Sequence, residues 1–157
     1  MPAFDRAERA ILATLQRRGR IANVELAEQV GLSESPCLRR VRALEENGVI
    51  ESYGARLSPR AIGLQVTAFV QVSLEKDDSK TASFLAQVEA EDHIVECHAM
   101  SGAYDYLLKV MARSMDHFSE LALRGILRFP GVNDIESSFS LATVKQNGPL
   151  PLPARDD

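Results

Sequence analysis

Residues 1–60 carry ten basic side chains, all of them arginine, against eight acidic ones. The arginines are bunched, as Arg17-Arg18-Gly19-Arg20 and as Arg39-Arg40-Val41-Arg42. A guanidinium presents a planar fork of donors that matches a phosphate or the outer edge of guanine, so such clusters point to duplex nucleic acid. Residues 61–157 reverse the balance, with eight basic against fourteen acidic side chains. The formal net charge of −4 thus averages a basic region with an acidic one. Phosphate contact depends on a local basic face, so the acidic total does not exclude DNA.

Other reactive side chains do not assemble into a centre. Cys97 and His98 are neighbours in an extended segment, where adjacent side chains point to opposite faces and cannot ligate together. His93 and His117 have no zinc-like spacing to either cysteine. Cys37 reads as a small buried hydrophobe, and Tyr104 and Tyr106, two apart, share a face as packing residues. With no nucleophile–base pair, the chain is expected to be no enzyme and to need no metal or cofactor. The two cysteines lie inside patterned segments, unlike a secreted disulfide scaffold. The start, Met1-Pro2-Ala3-Phe4-Asp5-Arg6, lacks the apolar core of a signal peptide, and no 18-residue apolar run suggests a membrane span. A cytoplasmic location is the expectation.

The elements that position the arginines read as three helices. Asp5-x-x-Glu8 is a capping box, followed by Ala7, Ile11, Leu12 and Leu15 at helical spacing, with Gly19 as the stop. Asn23 caps a second helix with Leu26, Ala27 and Val30 inward, ended by Gly31-Leu32. Ser33 or Ser35 caps a third, with Pro36 in its first turn and Asn47-Gly48 at its end. Leu38, Val41 and Leu44 form its inner stripe, so the opposite side is centred on Arg39. Ser35 and Arg42 flank that side, with Pro36 and Ala43 across from them and Arg40 further round. Arg39 is then the base-reading residue, Ser35 bonds a base or a phosphate, and Arg40 and Arg42 meet phosphates.

Val49–Leu57 reads as extended, and Ser58-Pro59 breaks the pattern. The remainder alternates. Val66–Leu74 has apolar residues at period two, then comes a helix with Phe84, Leu85 and Val88 inward. Ile94–Met100 and Tyr104–Met111 are strands around the turn Ser101-Gly102-Ala103. A helix capped by Ser114 carries Phe118, Leu121, Ala122 and Ile126, and Ile135–Val144 is the last strand. The order βαββαβ suits a ferredoxin-like α+β sandwich. The predicted layout is a helix-turn-helix domain over 1–57, a hinge over 58–64, a ferredoxin-like domain over 65–148 and a flexible proline-spaced tail over 149–157. Two helices cover only one face of a four-stranded sheet, and apolar residues occur on both faces, so the second face calls for a partner.

At Gly19-Arg20-Ile21-Ala22-Asn23-Val24-Glu25-Leu26-Ala27 and Val30-Gly31-Leu32-Ser33-x-Ser35-Pro36-Cys37-Leu38-x-Arg40-Val41-x-x-Leu44-Glu45 the chain closely resembles the leucine-responsive/asparagine-operon (Lrp/AsnC) family. The likeness returns at Gly48-Val49-Ile50, Glu96-Cys97-His98, Ser101-Gly102-x-Tyr104-Asp105-Tyr106-Leu107-Leu108 and Phe129-Pro130-Gly131-Val132-Asn133-Asp134, covering about residues 3–148. The resemblance implies an α+β protein with a (winged) helix-turn-helix joined to a ferredoxin-like domain. It also implies a sequence-specific transcription regulator that binds double-stranded DNA and assembles from dimers into a larger oligomer such as an octamer. It places the helix-turn-helix at Asn23–Arg42, making Asn23, Ser33, Ser35, Pro36, Arg39, Arg40 and Arg42 the candidate DNA-facing residues. A small amino acid would bind at Ser101, Gly102, Ala103, Tyr104 and Asp105, with Met115, Ser138, Phe139 and Ser140 by position. Backbone N–H groups at Gly102 and Ala103 suit a carboxylate, and Asp105 suits an α-ammonium. Ala103 stands where relatives often carry an acidic or other polar residue. With Met115 and Phe139 it favours leucine or another apolar amino acid. The competing reading is an architectural DNA-organising protein with no ligand response.

Overall fold

The computed structural model describes residues 4–153, which divide into two compact units. Unit 1 holds the chain up to Arg56 and again from Lys145 onward, and unit 2 runs from Leu57 to Val144.

Unit 1 is built on α1 (Arg6–Leu15), α2 (Asn23–Val30) and α3 (Glu34–Glu46). The capping box at the start of α1 forms as expected: the Asp5 carboxylate accepts from the N–H of Glu8 at 2.8 Å, and Glu8 accepts from the N–H of Asp5 at 2.9 Å. Each bond satisfies a backbone donor that the first helical turn leaves without a carbonyl. Between α2 and α3 the chain reverses at Gly31, whose φ of 70° lies in the left-handed region that a side chain disfavours. The N–H of Leu32 closes this turn on the carbonyl of Ala27 at 2.9 Å. Ile11, Leu12, Leu26, Ala27, Cys37 and Leu44 form one buried cluster. The stretch read as extended, 49–57, has no regular secondary structure.

Unit 2 contains β1 (Val66–Leu74), α4 (Asp78–Ala90), β2 (Ile94–Ala99), β3 (Tyr106–Ala112), α5 (Met115–Glu120) and β4 (Val132–Phe139). The residues read as a hinge hold a single 3-10 turn, Arg60–Ile62. The sheet is wholly antiparallel in the order β2-β3-β1-β4, the ferredoxin-like arrangement expected from the sequence. Ala68, Val70 and Val72 of β1 and Leu108 and Val110 of β3 face the helices, where they bury Phe84, Val88, Phe118, Ala122 and Ile126. Leu85, expected inward, is 40% exposed. The segment after α5 departs from α geometry, with a π turn over Leu121–Gly125 and a 3-10 turn over Ile126–Arg128.

Three expectations for unit 2 are corrected. The register shifts between Ile94 and Glu96, and this bulge puts Ile94, Cys97 and Ala99 opposite Val110, Leu108 and Tyr106 on the helix-covered face. Strict alternation from Ile94 would place Cys97 and Ala99 on the other face. Second, the face away from the helices is mixed rather than apolar. Phe69, Leu107 and Met111 share it with Gln71, Glu136 and an ion pair of Lys109 with Glu96 at 2.6 Å. Third, β4 runs from Val132 to Phe139, earlier than expected, because β1 offers no partners further on. Phe139 pairs with Ala68, and the N–H of Ser140 makes a bond at 2.9 Å to the carbonyl of Thr67.

The segment expected to be a free tail is also different in its described part. Residues 149–153 lie against unit 1, with Leu152 packed on its core cluster. Residues 154–157 of the expected tail, and 1–3 at the other end, are outside the described residues.

Candidate DNA interface and ligand-binding turn

The orientation of α3 follows from what it buries. Cys37 is fully buried and Leu44 nearly so, with Val41 half-buried between them. Leu38, expected on this stripe, is instead 38% exposed. The buried stripe is thus Cys37/Val41/Leu44, rotated from the expected one by roughly a third of the 100° step between neighbours. Burial also pushes the Cys37 thiol up, which suits a packing residue rather than a reactive one.

The outward side of α3 forms a shallow cleft of about 320 Å³ lined by Ser35, Leu38, Arg39, Arg42, Ala43 and Glu46. Three of the seven expected DNA-facing residues therefore come together: Ser35, Arg39 and Arg42. Leu38 and Glu46 belong to the same surface and were missed, Leu38 because its apolar type argued for the core. An exposed apolar side chain can meet a thymine methyl, and a carboxylate can accept from a cytosine amino group.

The remaining four stand elsewhere. Asn23 is the first residue of α2, not its cap, and its amide donates to the carbonyl of Glu34 at 3.1 Å, tying the start of α2 to the start of α3. Ser33 is the N-cap of α3 and is exposed, while Pro36 is half-buried in the first turn. Arg40 turns to another partner. Its guanidinium lies on the α1 side, 2.6 Å from the Asp5 carboxylate and 3.7 Å from that of Glu8. Among the described residues the ion pairs of unit 1 are these and Arg18–Glu25, so Arg39 and Arg42 stand outside them. Arg40 thus ties α3 to α1.

In unit 2 the turn between β2 and β3 is drawn tight around Asp105. The N–H of Met100 donates to the Asp105 carbonyl at 2.8 Å, the N–H of Asp105 to the carbonyl of Val72 at 2.9 Å, and the N–H of Leu74 to the Asp105 carboxylate at 2.7 Å. One carboxylate oxygen is thereby committed to the end of β1. An open cleft of about 350 Å³ adjoins it, lined by Leu74, Glu75, Asp77, Thr81, Ala99 and Tyr106 among others.

The nine residues expected to form one ligand pocket fall into two groups. Ser101–Asp105 lie where β1 ends, at Val72–Leu74, whereas Ser140 bonds to Thr67 near its start. These points are five residues apart on β1, or roughly 17 Å at the rise of an antiparallel strand. Phe139 stacks edge-on against Phe118 of α5, with ring centres 5.0 Å apart, and Met115 at the start of that helix is 50% exposed. Ser138 pairs with Phe69 and belongs to the face away from the helices.

His93 and His117 meet edge-to-face with ring centres 4.6 Å apart, a proximity the sequence did not reveal. Among the described residues no group of three or more His, Cys, Asp or Glu side chains is placed to hold a metal ion, and no helix is long and apolar enough to cross a membrane.

Residues 4–51 match the winged helix-turn-helix DNA-binding family, and residues 67–150 match the Lrp/AsnC ligand binding domain. The chain is 41% identical over 153 residues to the leucine-responsive regulatory proteins of Salmonella typhimurium and Escherichia coli K12, covering 97% of this chain and 93% of theirs. Among solved structures it is similar to a Neisseria meningitidis transcriptional regulator in complex with L-methionine. That match has a TM-score of 0.93 and 41% identity, covering 96% of this chain and 97% of the other. A feast or famine regulatory protein of Mycobacterium tuberculosis, complexed with L-methionine, aligns with a TM-score of 0.86 and 31% identity, over 96% of this chain and all of the other (100%).

The tie between α1 and α3 has a pH signature. The backbone N–H of Glu8 and the Arg40 guanidinium hold the Asp5 carboxyl below its ordinary value, against an opposing effect of partial burial. A depressed carboxylate contributes stability that is present above its unfolded value, near 4, and lost as pH falls through the folded value. Asp5→Asn keeps an N-cap acceptor but cannot titrate. Acid unfolding followed by helix signal should therefore show a flatter dependence below about pH 4 for Asp5→Asn than for the parent. Identical slopes would mean that Asp5 carries no such linkage.

Proposed function

This chain belongs to the Lrp/AsnC family of DNA-binding transcription regulators, and we propose that it reads its site with the outer face of α3 and answers to a small apolar amino acid. The observation that carries the first part is the division of the arginines. Arg39 and Arg42 share an exposed face with Ser35, while Arg40 on the same helix is spent on Asp5. The major groove is wide enough for one helix, and residues early on that helix reach the base edges. Arg39 is assigned the bidentate contact to guanine, and Ser35 and Arg42 flank it against the backbone. A single helix of this kind spans only a few base pairs, so a specific operator needs two, supplied by a homodimer. A second copy is the proposed partner for the sheet face bearing Phe69, Leu107 and Met111, with dimers assembling further, to an octamer as in the family.

The effector is proposed to bind where copies meet. Gly102 and Ala103 offer backbone N–H groups to its carboxylate and Asp105 a charge to its ammonium. Met115 and Phe139 are too far along the same sheet to enclose that molecule, so their apolar surface would come from another copy. Methionine or leucine fits such a site, and methionine is what the two solved relatives hold. A ligand bridging copies shifts the equilibrium among assemblies, and with it the spacing of the DNA-reading helices.

For the DNA contact, Arg39→Ala is expected to lose about 1–3 kcal/mol of discrimination at one base pair in each half-site. Arg42→Ala should weaken binding evenly and lower the salt dependence by about one phosphate contact. Affinities measured over a salt series on selected and random duplexes distinguish the two. Equal loss on both duplexes for Arg39→Ala would remove it from base reading.

For the effector, millimolar L-methionine or L-leucine should change the sedimenting species or the DNA affinity. Asp105→Asn preserves an acceptor for the Leu74 N–H yet removes the charge, so it should fold and bind DNA while losing the response. An unchanged response in that variant would displace the ammonium site from Asp105. No response of the parent to any amino acid would instead leave a DNA-organising protein.

A further inference from the structure

We infer that α1 and residues 49–53 form a seat for a short proline-spaced apolar segment, and that the chain's own residues 149–153 dock on it in cis as a strap that completes the DNA-binding unit. An open cleft of about 460 Å³ remains beside the docked segment, walled by Phe4, Leu12, Leu15, Gln16, Ile50 and Tyr53 and by residues 150–153 of the segment itself. Gln16 reads both backbone groups of one tail residue. Its Oε1 accepts from the N–H of Leu150 at 2.5 Å, and its Nε2 donates to the carbonyl of Leu150 at 3.3 Å. This is a side-chain version of the paired bonds by which a strand accepts a neighbour.

The sequence of the segment suits that reading. In Pro149-Leu150-Pro151-Leu152-Pro153 only the two leucines have backbone N–H groups, and Leu150 donates the one that Gln16 receives. Proline fixes φ, so the free segment loses less conformational entropy on seating than an ordinary strand would. Leu152 then packs on the cluster of Ile11, Leu12, Leu26 and Leu44.

Both sides of the arrangement are anchored. Tyr53 donates from its hydroxyl to Glu45 of α3 at 2.9 Å, fixing the wall formed by residues 49–53. Upstream of the segment, Arg56 donates to the carbonyl of Gln146 at 3.4 Å, and the chain turns at Asn147 with φ 46°. The cleft shares no lining residue with the Ser35–Arg39–Arg42 surface. The strap therefore supports α1 without covering the face assigned to DNA. A helical unit of some fifty residues is small enough for such an addition to matter, since little core is available to it.

The test uses the full-length protein and two variants, one ending after Gly148 and one carrying Leu152→Asp, with backbone hydrogen exchange as the readout. Peptides from α1 should exchange about tenfold faster in both variants, while peptides from β1 and β3 keep the parent's rates. Adding about 1 mM of a synthetic peptide spanning residues 147–153, the range of a weak site, should restore α1 protection to the truncated chain. Gln16→Ala in the truncated chain should abolish that rescue. Exchange of α1 within twofold of the parent in both variants would overturn the proposal, as would failure of the peptide to restore protection. Parent protection that falls on dilution as the oligomer dissociates would also overturn it, because the segment would then come from another copy.

Discussion

Cys37 and Leu44 lie two turns apart on α3, and both are buried in the cluster that Ile11, Leu12, Leu26 and Ala27 complete. Their burial settles the rotation of α3, and the rotation decides which arginine faces where. Adjacent residues on a helix differ by about 100°, so a stripe centred elsewhere would exchange the roles of Arg39 and Arg40. As it stands, Arg40 turns toward Asp5 and Arg39 toward solvent. The capping box of α1 joins this arrangement, because the carboxylate that caps α1 also holds Arg40. One acidic side chain thus orders the start of the first helix and the angle of the third.

In the second unit the corresponding constraint is the central position of β1. Paired with β3 on one side and β4 on the other, it has the turn proposed for the effector at one end and the Phe139 edge at the other. A chain folded this way cannot bring both groups to one small molecule by itself. On the proposed effector site, assembly and ligand binding become a single problem. It also leaves a sheet face whose Phe69, Leu107 and Met111 are interrupted by the Lys109–Glu96 pair.

Much of this was legible from residue pattern. The capping box, the stop at Gly31, the start of β1 and the order βαββαβ follow from local chemistry, and the structure has all four. What was not legible depended on partners distant in the chain. Leu38 looked like a core residue by type, yet Cys37 takes the buried place because α1 and α2 pack there. Arg40 looked like its neighbours until Asp5, thirty-five residues away, claimed it. The bulge after Ile94 reverses the face of Cys97, and nothing in the alternation announces it. The proline-spaced end looked free because its seat is made by α1 and residues 49–53, far away in sequence.

The central claim is that α3 presents Arg39 and Arg42, and not Arg40, to DNA. It can be followed directly with nitrogen-labelled arginine side chains, observed by NMR while a bound duplex is titrated in. The account predicts that the Nε–H signals of Arg39 and Arg42 shift or broaden as DNA is added, while the signal of Arg40 stays at its position beside Asp5. Movement of the Arg40 signal, with Arg39 and Arg42 unperturbed, would contradict it.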